Sequence, residues 1–187
     1  MVKVLVLGSA HAVADETHRH THLAVLSGEC GLLIDCGVCP RSRLQAMGVG
    51  RDAITDVLIT HFHPDHVSGL PLYLMELWLT GRTLPLEVHA SDSVLDRIEE
   101  MLELYEWRNW PEMFPVHFSR IPNLEGARVL ARGDLRVTAS PVRHLVPTLA
   151  VRVDCASGGG LAFSSDTEPC AEFERLVRGV DLLVHEA

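Results

Sequence analysis

Basic residues are scarce in this chain: 16 lysines and arginines stand against 25 aspartates and glutamates, a formal net charge of −9 over 187 residues. Such a balance offers no electrostatic footprint for a long polyanion. A disulfide framework is lacking too, because the five cysteines are odd in number and irregularly spaced; reduced thiols in a cytoplasm fit better. Cys36 and Cys39 have the C-x-x-C spacing but no matching second pair, so no redox or zinc role is assigned to them. No apolar run reaches membrane-spanning length, and the opening Met1 to Gly8 is too short for a signal h-region and lacks a basic leader. Internal repeats, low-complexity tracts and linkers are also missing. What remains, 47% hydrophobic and 22% charged, is the composition of an ordinary soluble globular protein, expected to be one domain over residues 1–187 in the cytosol.

The densest chemical signal is Thr60-His61-Phe62-His63-Pro64-Asp65-His66, directly after the apolar run Val57-Leu58-Ile59. Residues two apart on an extended chain point to the same side, so His61 and His63 can aim at one ion. Pro64 stops the strand, and the turn after it can bring Asp65 and His66 to a point close by, which makes room for a second ion. Four ligands from one loop cannot enclose two ions, so others must arrive from distant strand ends. His144 follows a strand across Pro141-Val142-Arg143, and Asp166 follows Leu161-Ala162-Phe163 and two serines. Alone, the first would be an ordinary surface or core histidine and the second a helix N-cap. A dinuclear hydrolytic site needs such a bridging carboxylate, and imidazole with carboxylate suits zinc, manganese or iron.

Around these residues the pattern alternates strands and helices. Strands are predicted over Lys3 to Leu7, His22 to Leu26, Gly31 to Asp35, Asp56 to Thr60, Leu84 to Ala90, Ala127 to Ala131, Leu135 to Ser140, Leu149 to Val153, Leu161 to Ser164 and Val180 to Val184. Helices are predicted after Pro40 to Met47, over Val67 to Thr80, from Ser91 and Asp92 to about Trp107, and from Pro169 to Val177. Tyr105, Trp107, Trp110 and Phe114 form an aromatic segment read first as packing, with a dimer contact or a lid as rivals. His18, His20 and His22 alternate and would share one face of a strand, read as a substrate-facing or solvated edge rather than a third metal site. Strand runs in both halves with helices between them predict two packed sheets covered by helices.

The segments Leu33-Ile34-Asp35-Cys36-Gly37, Thr60 to Gly69, His144 and Ser164-Ser165-Asp166-Thr167 resemble, in order, the motifs of the metallo-β-lactamase superfamily. The ending Leu182-Leu183-Val184-His185-Glu186-Ala187 resembles the HEAT motif of its ribonuclease Z branch. This resemblance implies a four-layer αββα sandwich and a phosphodiester substrate. It also implies that His61, His63 and His144 hold one metal, Asp65 and His66 the second, and Asp166 bridges them, with Asp35 orienting ligands. His185 and Glu186 would sit at the rim and assist proton transfer. Two departures stand out. The family places a last histidine ligand beyond the HEAT motif, whereas this chain stops at Ala187, so truncation is expected. The interval from His144 to Asp166 is filled by a hairpin and the Gly158-Gly159-Gly160 turn, leaving no room for the arm with which ribonuclease Z enzymes grip transfer RNA.

The expected activity is therefore metal-dependent phosphodiester hydrolysis with two divalent ions, zinc first and manganese or iron as alternatives. The ions would lower the pKa of a bridging water, with Asp65 accepting its proton and His185 as the acid for the leaving oxygen. Endonucleolytic transfer-RNA 3′ processing is the most specific version. The charge of −9 and the absent arm favour a small diester such as a cyclic nucleotide. Thioester, lactone, lactam or sulfate-ester hydrolysis is a further reading, and a non-catalytic metal-binding interaction protein another. A homodimer would use the apolar helix Val67 to Thr80 or the aromatic segment.

Overall fold

In the computed structural model, which describes residues 2–186, two mixed sheets lie face to face with helices outside both. The first sheet runs, in spatial order, β1 (Lys3–Gly8), β2 (His22–Ser27), β3 (Cys30–Ile34), β4 (Asp56–Leu58), β5 (Leu86–Ser91) and β6 (Val116–Ile121). β1 pairs antiparallel with β2 and β2 with β3, and β3 to β6 are parallel. In the second sheet the order is β11 (Leu182–Val184), β10 (Gly160–Phe163), β9 (Thr148–Cys155), β8 (Leu135–Val142) and β7 (Ala127–Arg132), parallel only between β10 and β11.

Side-chain alternation assigns the layers. On β4, Val57 faces the helices while Leu58 faces the other sheet, sharing a buried cluster with Ile34 of its own sheet and with Val137, Val151 and Phe163 of the other. Helices α1 (Arg41–Ala46), α2 (Pro64–Val67), α3 (Leu70–Leu79) and α4 (Asp92–Glu103) cover the outer face of the first sheet through Leu44, Val67, Leu74 and Ile98. Helix α5 (Ala171–Leu176) covers the second sheet, packing Phe173 and Leu176 on Ala150. This is the four-layer αββα sandwich.

Several sequence expectations need correction. Strand β6 was not predicted: Pro115 and Pro122 bracket it and His117, Ser119 and Arg120 interrupt its apolar pattern, as an edge strand permits. The helix predicted over Val67 to Thr80 is two helices, because Ser68 and Gly69 turn the chain between α2 and α3. The helix expected to reach Trp107 ends at Glu103, and Glu106 enters the left-handed region (φ 49°) before a 3₁₀ turn at Trp107–Asn109. Strand β3 stops at Ile34 and β4 at Leu58, so Asp35 and Thr60 lie just outside them. In the aromatic segment Trp107 and Phe114 are buried and Trp110 stacks on Trp78, so packing is what the segment does; Tyr105 alone stays exposed.

One polar contact ties the sheets together. Asp56, fully buried on β4, accepts hydrogen bonds from the Thr55 hydroxyl (2.7 Å), His89 Nε2 on β5 (2.9 Å) and Arg132 on β7 of the other sheet (2.9 Å). Burial alone would raise its carboxyl, but His89, Thr55 and Arg132 together hold it below the ordinary carboxylate value. A depressed folded-state value contributes stability that is present above about pH 4 and is lost as pH falls through it. Asp56→Asn should therefore cost on the order of 2 kcal/mol at pH 7, below the about 3–5 kcal/mol of a fully enclosed pair because Arg132 is half solvated. Urea titrations from pH 7 to 3 check it: the wild type loses stability on the acid limb, and the variant has a flatter one.

Candidate metal centre

The parallel strands β3 and β4 end side by side, and the loops that leave them carry the polar residues. Asp35 follows β3 in the left-handed conformation (φ 65°), which turns its carboxylate under the next loop. There Oδ1 accepts the Thr60 backbone N–H (2.8 Å), and Oδ2 accepts the Thr60 hydroxyl (2.9 Å) and His66 Nδ1–H (2.8 Å). Next in the chain, Cys36 N–H donates to the His66 carbonyl and Cys36 O accepts from Gly69 N–H, clasping this loop to α2. A Cβ at Gly37 would lie 1.6 Å from the Asp65 carbonyl oxygen, so only glycine permits the approach. The Cys36 thiol is driven well up by burial and that of Cys39 to about 11 for the same first reason. Both are protonated, inert thiols that pack this loop.

The hydroxyl of Thr60 is used completely. It donates to Asp35, accepts the Ser165 hydroxyl (2.8 Å) and lies 3.0 Å from His61 Nδ1. With its proton committed to Asp35, it can only accept from His61, which places the hydrogen of that ring on Nδ1 and leaves the Nε2 lone pair facing outward. His66 donates Nδ1–H to Asp35 and directs Nε2 outward, toward the Asp166 carboxylate. One carboxylate thus orders two imidazoles.

The outward nitrogens converge. His61 Nε2 lies 3.0 Å from His63 Nδ1, and His144 Nε2, delivered by the loop after β8, lies 3.2 Å from the same atom. Asp166 Oδ2 is 3.8 Å from His61 Nε2 and 3.6 Å from His144 Nε2. A tetrahedral ion with bonds of about 2.0–2.1 Å has ligand–ligand edges of about 3.3 Å, so this set of atoms fits such an ion. Among the described residues, His61, His63, His144 and Asp166 are the group that meets this test. The other oxygen of Asp166, Oδ1, faces His66 Nε2 at 3.3 Å, and Asp65 Oδ2 stands 3.6 Å from that nitrogen. Asp166 therefore spans two donor groups, three histidines on one side and Asp65 with His66 on the other. Ser165, just before it, holds φ 54° and is buried, so the turn that presents Asp166 is locked by its own hydroxyl bond to Thr60.

Electrostatics follow this wiring. Burial, then the neighbouring His66 charge, push His61 down to about 3. For His66 burial works downward, but the Asp35 and Asp166 carboxylates outweigh it and raise the ring to about 10. The hydrogen bond from His66 first of all holds Asp166 below the ordinary carboxylate value.

A cavity of about 460 Å³ opens over this centre. It lies at the open edge of the sandwich between β1 and β11, lined by Val6, Phe163 and Val184 below and by Asp65, His66 and Asp166 at one end. His185 and Glu186 form part of its wall; Glu186 also accepts the Thr167 N–H, and His185 Nδ1 donates to the Glu186 carbonyl. Ala187, the last residue of the HEAT-like ending, lies outside the described residues. The alternating histidines do not share a strand face. His18 pairs with Asp15 in a loop, and His22 is fully buried at the start of β2. Thr60, Ser165 and the loop after β1 were missed as site residues, since a threonine or serine carries no pattern of its own.

Fold and centre together resemble those of metal-dependent hydrolases of the metallo-β-lactamase superfamily, ribonuclease Z-like branch. The family model described as Anti-Pycsar protein Apyc1 matches residues 2–187, and the chain belongs to that family. It is similar along its whole length to curated proteins named Ribonuclease Z. One from Mycobacterium sp. (strain KMS) is 28% identical over 199 residues, spanning 69% of that protein. Another, from Methanothermobacter thermautotrophicus, is 25% identical over 236 residues, spanning 74% of it. Among solved structures, the short form of human tRNase Z superposes with a TM-score of 0.83 at 22% identity, covering all of this chain and 78% of that one. The metallo-beta-lactamase fold protein YhfI from Bacillus subtilis gives 0.79 at 18% identity, covering 97% of this chain and 69% of its own.

The Thr60 relay has a direct consequence. Thr60→Val keeps the shape and removes the hydroxyl, and should weaken zinc binding about 10- to 100-fold, the usual cost of losing a ligand's supporting partner. Thr60→Ser should stay near wild type. Competition with a chromogenic chelator, together with elemental analysis, measures both.

Proposed function

We propose that this chain is a dinuclear metal-dependent phosphodiesterase that acts on a small diester, a cyclic nucleotide being a candidate of suitable size. The observation that carries the reading is Asp166, with one oxygen toward His61 and His144 and the other toward His66, beside a cavity sized for a small ligand. His61, His63 and His144 are assigned to one metal, Asp65 and His66 to the second, and Asp166 to both. Zinc suits the donors best, with manganese or iron as alternatives. Two bound ions would supply Lewis acidity and an acidified water.

The chain's own groups do the rest. Asp65 lines the cavity and, as the carboxylate outside the Asp35 network, is the one free to take a proton from the attacking water. His185 directs Nδ1–H to the Glu186 carbonyl, so Nε2 is the nitrogen that, in the protonated ring, would hold the proton for the leaving oxygen. Glu186 fixes that ring by its backbone and itself by the Thr167 N–H. Val6, Phe163 and Val184 give the organic part of the ester an apolar floor that excludes water.

A second reading, endonucleolytic cleavage of RNA, is favoured by the relatives named Ribonuclease Z. Against it stand the net charge of −9, the compact hairpin of β9 and β10 where an RNA-gripping arm would be, and a family described as anti-Pycsar rather than as a transfer-RNA enzyme. Five free cysteines and the absence, among the described residues, of a helix long and apolar enough to cross a membrane support a cytoplasmic setting.

With zinc or manganese supplied, the wild type should hydrolyse bis(4-nitrophenyl) phosphate. Asp65→Ala should lower turnover at least about 100-fold with an unchanged circular dichroism spectrum. Retained turnover in that variant removes Asp65 from its role. Between about 50 and 200 mM salt a small-diester enzyme should change little, whereas RNA binding through several phosphates would weaken on the order of 1,000-fold.

A further inference from the structure

The loop between β1 and β2 lines the same cavity as Phe163 and Val184, and it is held in place. Ala10 N–H donates to the Arg19 carbonyl (2.7 Å), and the Ala10 carbonyl accepts both the Thr21 N–H (3.0 Å) and the Thr21 hydroxyl (3.0 Å). A Cβ at Gly8 would lie 2.0 Å from the His20 carbonyl oxygen, so the returning limb of the loop presses directly on the end of β1. At the tip, Asp15 accepts the N–H groups of Thr17 and His18 (both 2.7 Å) and the hydroxyl of Thr17 (2.9 Å). This is a braced segment, and it carries His11 into the cavity lining.

The ring of His11 has a defined polarity. Its Nδ1 accepts the Val13 N–H at 3.1 Å, so in the neutral ring the hydrogen sits on Nε2. His185, in the same lining, is wired in the opposite sense, its Nδ1 donating to a carbonyl. The two histidines therefore present different faces to whatever the cavity holds.

We propose that His11 is a substrate-positioning residue whose Nε2–H donates to a neutral acceptor, a carbonyl oxygen or ring nitrogen, on the organic group of the ester lying over Val6, Phe163 and Val184. The inference rests on the phosphodiesterase reading and adds to it the recognition of one feature of the leaving or retained group. A donor bound only to a remote part of the substrate contributes to binding in ground and transition states alike, so its loss raises KM and leaves kcat. His11 is exposed and makes one local bond, so its replacement spares the fold.

The test compares two chromogenic diesters with metal supplied. Thymidine 5′-monophosphate 4-nitrophenyl ester carries carbonyl acceptors on its base, and methyl 4-nitrophenyl phosphate shares the nitro and phosphoryl oxygens but has no carbonyl oxygen or ring nitrogen. His11→Ala should raise KM for the thymidine ester about 3- to 10-fold, the worth of one neutral hydrogen bond, with kcat within about twofold. KM for the methyl ester should be unchanged, and His11→Gln, which keeps an N–H donor, should recover most of the loss. Equal KM rises for both esters, a fall confined to kcat, or no change at all would each overturn the assignment. A wild type that turns over neither ester overturns the phosphodiesterase reading and takes this inference with it.

Discussion

The buried carboxylate of Asp35 is the constraint on which the site depends. A carboxyl group with no solvent exposure is costly unless its oxygens are engaged, and Asp35 engages a backbone N–H, a hydroxyl and an imidazole N–H. These three donors come from the two segments that carry the metal-type residues, the loop after β4 and helix α2. Satisfying one buried group therefore registers both segments against each other. It also orients the rings of His61 and His66, one through Thr60 and one directly. Both Asp35 and Ser165 adopt left-handed backbone conformations, which neither residue favours. The network holds them there, and that local cost sits where the function needs a fixed geometry.

The sandwich architecture explains why the donors meet where they do. Parallel strands β3 and β4 end on the same side of the first sheet, and β8 and β10 deliver His144 and Asp166 from the same side of the second. One backbone bond stitches the sheets together at this end, from Leu149 N–H to the Thr60 carbonyl, and another, from Glu168 N–H to the Arg143 carbonyl, ties together the two loops of the second sheet that carry Asp166 and His144. At the far edge the Asp56, His89 and Arg132 contact performs the same service. Among the described residues no strand lies between β1 and β11, and the cavity opens there.

Legibility in the sequence tracks how local the cause is. His61, His63, Asp65 and His66 could be read because their chemistry is compressed into one strand end with a proline. His144 and Asp166 became readable only through order along the chain, since a lone histidine or an aspartate before a helix has ordinary explanations. Thr60 and Ser165 could not be read at all: each matters through a hydroxyl whose partners lie far away in sequence, Asp35 for one and Thr60 for the other. The same logic covers the errors in the fold. Strand β6 was invisible because an edge strand needs little apolar pattern, while its pairing partner, β5, supplies the order. His22 looked like part of an exposed stripe because alternation was assumed to mean a strand; only His22 lies in β2, and the bridge between Ala10 and His20 turns the others into loop.

Charge distribution separates the two phosphodiester readings more sharply than fold does. A net charge of −9 repels a polyanion at long range, and that repulsion grows with each phosphate added. A single phosphodiester carries one charge and feels chiefly the centre itself. Three carboxylates, Asp35, Asp65 and Asp166, against two dications and neutral imidazoles would leave that centre positive inside a negative surround. Salt screens the surround over roughly 8 Å at physiological strength, while the centre, at short range and partly buried, is screened far less. A compact anion that fits the cavity is drawn by the near field, whereas a long one must also lie across the acidic surface. The cavity's apolar floor works in the same direction, because it rewards an organic group small enough to be enclosed.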